Sequence, residues 1–201
     1  MLVKQAARAM ELFTGHSAPD SIVESIRARI LTRKLNLVLI GMPGCGKTSI
    51  GQRIAALMGR EFVDTDAQVE RRAGMTIPEL FAQHGESRFR QIEAETVRDA
   101  GSRASLVIAT GGGAPMFEEN LRALRQNGEL MLIERPLDQL ATTNRPLSPN
   151  AQALHVMAEA RLPVYRALSS ATIANTGSIE DAALAAMEGF YALLGDQRPQ
   201  S

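Results

Sequence analysis

The stretch Gly41-Met42-Pro43-Gly44-Cys45-Gly46-Lys47-Thr48 has the spacing G-x-x-x-x-G-K-[ST] in full. Residues of these types in this order can hold a phosphate chain. The glycines let consecutive backbone N–H groups turn inward around an anion. A helix that starts near Lys47 adds the positive end of its dipole. Lys47 then reaches the terminal phosphates, and the Thr48 hydroxyl is an oxygen ligand for Mg²⁺. Ser49 continues the motif. Cys45 is the single cysteine, and nothing near it in the sequence supplies a base that would make it a nucleophile.

A phosphate donor needs an acceptor, and four further features bear on it. Asp64 and Asp66 follow the short apolar segment Glu61-Phe62-Val63, and on a continuing strand they share a face. Carboxylates there can orient hydroxyls, accept a proton or hold water around Mg²⁺; ordinary turn chemistry is the alternative. Arg90 and Glu93 are three apart on an expected helix, which by itself reads as an exposed ion pair. Gly111-Gly112-Gly113 ends an apolar run and is either a plain turn or a point where a ligand approaches the backbone. Arg145 lies in the proline-punctuated stretch NRPLSPN (144–150), and Arg161 on the helix expected after it. An arginine on a closing loop stabilises a transferring phosphoryl group, and one beside a carboxylate grips it through two parallel hydrogen bonds. Taken singly, both arginines are also ordinary surface residues.

The elements that must position these groups alternate. Leu35–Ile40 reads as a buried strand that stops at glycine, and residues 47–58 carry Ile50, Ile54, Leu57 and Met58 at helical spacing. Strands are expected at 61–63, 105–109, 129–134 and 171–174. Between and after them come two helices over 76–100 broken near Gly85, then helices over 117–126, 152–168 and 178–194. That order predicts an α/β fold: a five-stranded parallel sheet with helices on both faces.

Together, GMPGCGKTS (41–49), FVDTD (62–66), ESRFRQIE (86–93), TGGG (110–113), NRPL (144–147) and EARLPVYRAL (159–168) resemble the shikimate kinase family from about residue 35 to 194. The resemblance implies a P-loop kinase that phosphorylates the 3-hydroxyl of shikimate with ATP and Mg²⁺. It implies that Asp66 binds the shikimate hydroxyls and acts as base. Arg90 and Arg161 would grip the carboxylate, and Gly111, Gly112 and Gly113 would meet the substrate through their backbone. Gly44, Cys45, Gly46, Lys47, Thr48 and Ser49 would bind ATP, with Arg145 closing from the lid. Thr48 would ligate Mg²⁺, with Asp64 reaching it through water. The catalytic set is then Asp66, Lys47 and Arg145, the acceptor segment about 66–100 and the lid about 142–152. Two arginines frequent in the family are missing, one within Leu137–Thr143 and one in the loop Asn175-Thr176-Gly177; both bear on how adenine is held. Two other readings use the same motifs: a kinase of another small acceptor such as gluconate, and a kinase-like domain that senses a metabolite without turnover.

Composition narrows the setting. The 201 residues carry 22 basic and 22 acidic side chains, so no global field draws the chain to nucleic acid or an anionic membrane. One cysteine forms no intrachain disulfide, and no apolar run reaches membrane-spanning length. A cytoplasmic, monomeric protein is the expectation. His16, His84 and His155 share no metal-binding spacing. Residues 1–34 stand before the kinase-like region (35–196) as a helical extension and linker, and 197–201 form a tail. MLVKQAARAMELFTG resembles the closing helix of shikimate dehydrogenase, followed by a linker-like PDSIVES stretch, which suggests the kinase half of a fused pair. This segment would then contact a dehydrogenase domain or a second subunit.

Overall fold

The computed structural model describes residues 2–140 and 151–196. Five strands form one parallel sheet: β1 (Asn36–Ile40), β2 (Glu61–Asp64), β3 (Leu106–Ala109), β4 (Gly128–Glu134) and β5 (Ala171–Ala174). Their spatial order is β2-β3-β1-β4-β5. All five residues of β1 and all four of β3 are buried, as continuous apolar runs in a covered parallel sheet must be. Asn36 is the buried polar exception. Its side chain donates to the Arg103 carbonyl and accepts from Leu106 N–H, each at 2.8 Å, and so ties the start of β1 to β3.

Helices cover both faces of the sheet. α3 (Lys47–Met58) packs with α8 (Ile179–Leu193), and α5 (Ile77–Ser102) packs with α6 (Glu118–Gln126) and with α4 (Thr65–Ala73). α7 (Ala151–Leu168) runs beside β4. The expected break near Gly85 is present: this residue has φ 75° and ψ 176° within α5. The connection from β1 leads toward β2 and that from β3 leads toward β4, in opposite directions across the sheet. A crevice therefore opens above the carboxyl ends of β1 and β3, where ligands bind in open α/β sheets.

Two expectations are corrected. β2 stops at Asp64 and α4 begins at Thr65, so Asp64 and Asp66 do not share a strand face. The Asp64 carboxylate caps α4 instead, accepting from the N–H groups of Asp66 and Ala67 at 3.0 and 3.3 Å. The linker-like stretch is also no linker. α1 (Leu2–Thr14) is followed by α2 (Asp20–Lys34), with Asp20 in its first turn and Arg33 and Lys34 in its last, the favourable pairing with the helix dipole. α2 is docked: Val23, Ala28 and Thr32 are buried, and Thr32 Oγ1 donates to Asp196 Oδ2 at 2.8 Å. By contrast α1 buries none of its residues and lies against α2.

Candidate active site

The loop Gly41–Gly46 joins β1 to α3, and Gly46 takes φ 102°, a conformation that favours glycine. No side chain caps α3, so the N–H groups of its first turn are open to a ligand. Lys47 is buried, and its ammonium donates to the carbonyls of Gly41 and Met42 at 3.0 Å each. Cys45 is fully buried behind the loop, consistent with a packing role. Asn175 braces the loop from the end of β5, donating from Nδ2 to the Cys45 carbonyl at 2.7 Å. The loop after β5 therefore supports the phosphate cradle with an amide, where the sequence shows only a missing arginine.

Thr48 Oγ1 donates to Asp64 Oδ2 at 2.7 Å. These are two hard oxygen donors side by side at the cavity wall, a set that suits Mg²⁺, which keeps most of its waters and takes few protein ligands. Asp64 thus both caps α4 and holds the hydroxyl of the phosphate motif.

Asp66 faces the glycines across the crevice. A methyl group built on Gly111 would lie 2.3 Å from Asp66 Oδ1; one on Gly112 would lie 2.9 Å from the Pro43 ring, and one on Gly113 would lie 3.0 Å from Arg90 Nη1. None of the three has a positive φ. Side-chain atoms of Asp66, Pro43 and Arg90 therefore stand close against the backbone at these three positions. Burial, reinforced by Asp64, pushes the Asp66 carboxyl up from 3.8 to about 6, with Lys47 pulling the other way. That range suits a group that takes up a proton near neutral pH.

Arg90 is more than half of an exposed ion pair, because its partner Glu93 is buried. Its Nη1 donates to Glu93 Oε2 at 2.9 Å, and Nε and Nη2 donate to Glu86 Oε1 at 3.2 and 3.0 Å. Its guanidinium also lies over the Phe89 and Phe117 rings, 4.9 and 4.7 Å from their centroids. Burial raises the Glu93 carboxyl, opposed by Arg90 and Arg161. Arg161 lies on α7, one turn before Tyr165, whose ring is fully buried and whose hydroxyl donates to the Gly112 carbonyl.

One cavity of about 580 Å³ collects these groups: Gly44, Gly46, Lys47, Thr48 and Ser49 line it together with Asp64, Asp66, Arg90, Gly111, Gly112, Gly113 and Arg161. Its size suits a small-molecule site. Arg145 and nearly all of the expected lid (142–152) lie outside the described residues. Sequence reasoning missed Phe89, Phe117, Tyr165 and Arg135, which meet Arg90, Gly112 or the cavity itself. Tyr165 was findable, being four residues from Arg161 and hence on the same helix face. Arg135 was findable as the residue leaving the carboxyl end of β4. Phe117 carries no such signal. Among the described residues no group of three or more His, Cys, Asp or Glu side chains forms a metal site, and no helix is long and apolar enough to cross a membrane.

A phosphate cradle at the start of a helix, facing carboxylates and guanidinium groups across one crevice, defines a P-loop phosphotransferase. A family model described as shikimate kinase matches residues 43–189. The shikimate kinase of Bordetella avium is 34% identical over 88% of this chain and 88% of its own length. That of Acinetobacter baumannii strain AYE is 40% identical over 74% of this chain and 87% of its own. A solved structure, shikimate kinase from Acinetobacter baumannii in complex with shikimate, has a TM-score of 0.75 at 33% identity, covering 86% of this chain and 99% of that one. The chain belongs to the shikimate kinase family.

The Bordetella match covers more of the chain than residues 35–196 contain, so a kinase counterpart extends into the residues before β1. The fused-dehydrogenase reading of residues 1–15 gains no support, since these relatives are kinases and the family model begins at residue 43.

Within this arrangement Arg161→Ala is expected to raise the KM for shikimate at least tenfold while changing the KM for ATP about twofold or less, the effect of losing one charge-assisted pair. Steady-state kinetics with each substrate varied in turn checks it; equal loss for both substrates contradicts a carboxylate contact.

Proposed function

We propose that the chain transfers the γ-phosphoryl group of ATP to the 3-hydroxyl of shikimate, giving shikimate 3-phosphate and ADP. The observation that carries this reading is the single cavity in which Lys47 and Thr48 face Asp66, Arg90 and Arg161. One side suits a phosphate chain, and the other a small polyol bearing a carboxylate. The A. baumannii structure in complex with shikimate supports the choice of acceptor.

The roles follow from position. Backbone N–H groups of Gly44, Cys45 and Gly46 and the first turn of α3 receive the phosphates, with Lys47 and Ser49 beside them. Arg90, held by Glu86 and Glu93 and flanked by two rings, is a rigid fork for the shikimate carboxylate, and Arg161 closes on it from α7. Backbone groups of Gly111, Gly112 and Gly113 contact the ring, with Gly112 fixed by Tyr165. Asp66 takes the hydroxyl proton as the substrate oxygen bonds to the γ-phosphorus and the bond to the bridging oxygen of ADP breaks. Thr48 and, through water, Asp64 would hold Mg²⁺, which neutralises phosphate charge. Arg145 is proposed to reach the phosphates from the lid. Residues 66–100 form the acceptor side.

ADP release from Mg-ATP, with shikimate, gluconate or nucleoside monophosphates added separately, tests the reading. Strong stimulation by shikimate alone is expected. No stimulation by shikimate, or stimulation by another acceptor, overturns it.

A further inference from the structure

The cavity contains one guanidinium with no committed partner among the described residues. Arg135 is the first residue after β4, at the carboxyl edge of the sheet, and lines the cavity with Pro43, Gly44 and Lys47. β4 is the direct neighbour of β1, with Leu132 opposite Ile40. The Ile133 carbonyl closes against the start of the phosphate loop, only 2.5 Å from where a methyl group on Gly41 would lie. Arg135 therefore stands on the phosphate-loop side of the crevice, whereas Asp66 and Arg90 belong to the elements that follow β2.

The other cavity cations are engaged. Arg90 has Glu86 and Glu93. Arg161 is drawn by Glu93 and by the Tyr165 hydroxyl. Lys47 has two loop carbonyls. The carboxylate nearest to Arg135 in sequence, Glu134, is taken by Arg166 at 2.7 Å. Arg135 makes no ion pair among the described residues, and its Nε is a buried donor without a partner there. A buried donor left unpaired destabilises the fold. A planar, permanently charged fork at the mouth of a phosphate loop fits phosphate oxygens.

We infer that Arg135 binds the β- and γ-phosphates of the nucleotide, as a second cation beside Lys47 from the adjacent strand. This rests on the proposed kinase reading and extends it to a residue outside the phosphate-loop motif. Arg135 forms no covalent bond and moves no proton; it offsets charge on the phosphate oxygens.

The test is equilibrium binding of ATP, ADP and AMP to the full chain without shikimate, comparing the unaltered protein with Arg135→Gln and Arg135→Lys. Arg135→Gln is expected to weaken ATP about tenfold or more and AMP about twofold or less, with shikimate binding unchanged and Arg135→Lys in between. Unchanged ATP binding overturns the inference. Equal loss of ATP and AMP, or a loss confined to shikimate, does so as well, because it moves the contact to the nucleoside or to the acceptor carboxylate. Circular dichroism establishes that each variant is folded, and Arg135→Lys keeps the comparison available if Arg135→Gln is not. The readout needs no turnover. Failure of shikimate to stimulate ADP release would refute the kinase reading, while nucleotide binding still decides the role of Arg135.

Discussion

Asp66→Asn is expected to lower kcat for shikimate phosphorylation by roughly 10²–10⁴-fold, the usual contribution of a positioned general base. The amide keeps the shape of the side chain and loses its ability to take a proton. The pH profile supplies a second signature. Burial, with Asp64 beside it, sets the Asp66 carboxyl at about 6. The working form is the carboxylate, so kcat/KM should fall below about pH 6 and level off above it. In Asp66→Asn that acid limb should vanish from the residual rate. An unchanged limb in the variant would assign the titration elsewhere and sink the base role.

The same carboxyl predicts a cost in stability, with a definite sign. Its folded value lies above its unfolded one, so the folded chain holds the proton more tightly between 3.8 and about 6. The contribution is fully present below 3.8 and is lost as pH rises through about 6. At pH 7 the unaltered chain thus contains a half-buried, poorly solvated charge that asparagine would remove. Asp66→Asn should be more stable there by on the order of 2–3 kcal/mol, and the difference should shrink toward pH 4. Denaturant melts across that range measure it. A less active and more stable variant is the pattern of a site that trades stability for chemistry.

Lys47→Ala is expected to reduce turnover by about 10³-fold with the fold retained, since it removes the positive charge at the point where phosphoryl charge develops. The ammonium is buried and bonded to two carbonyls of its own loop, so it is held where the phosphates are to arrive. Truncation leaves those carbonyls less well satisfied but no longer buries a charge, two effects of opposite sign. Steady-state kinetics with a thermal melt of the same preparation separates catalysis from folding. Near-normal turnover in a folded variant would refute the phosphate-site assignment.

Local signals in the sequence carry much of the fold. Helix 47–58 and strand 171–174 coincide with α3 and β5, and the break near Gly85 is present. Apolar spacing and glycine placement act over a few residues, so these elements are legible without the rest of the chain. Residues 20–34 are not, because proline and serine near the start of the segment look like a linker. Its helix is held by contacts to residues far along the chain, such as Thr32 to Asp196. Asp64 and Asp66 stand out by type and spacing, yet their geometry does not follow from either. A carboxylate after a strand can extend the strand or cap a helix, and the backbone at Thr65 decides for the cap.

The sequence by itself determined the phosphate loop, the alternation of strands and helices, and most of the residues that line the cavity, because spacing and residue type govern local backbone and local chemistry. Only the tertiary structure decided how those residues meet. The sheet order β2-β3-β1-β4-β5 sets the loops after β1 and β3 side by side, so that Asp66, Pro43 and Arg90 crowd three glycines. It brings Phe117 over Arg90, the Tyr165 hydroxyl onto Gly112 and Arg135 to the mouth of the phosphate loop. Each of these joins residues distant along the chain, and their packing depends on strand order and burial, which no short-range pattern encodes.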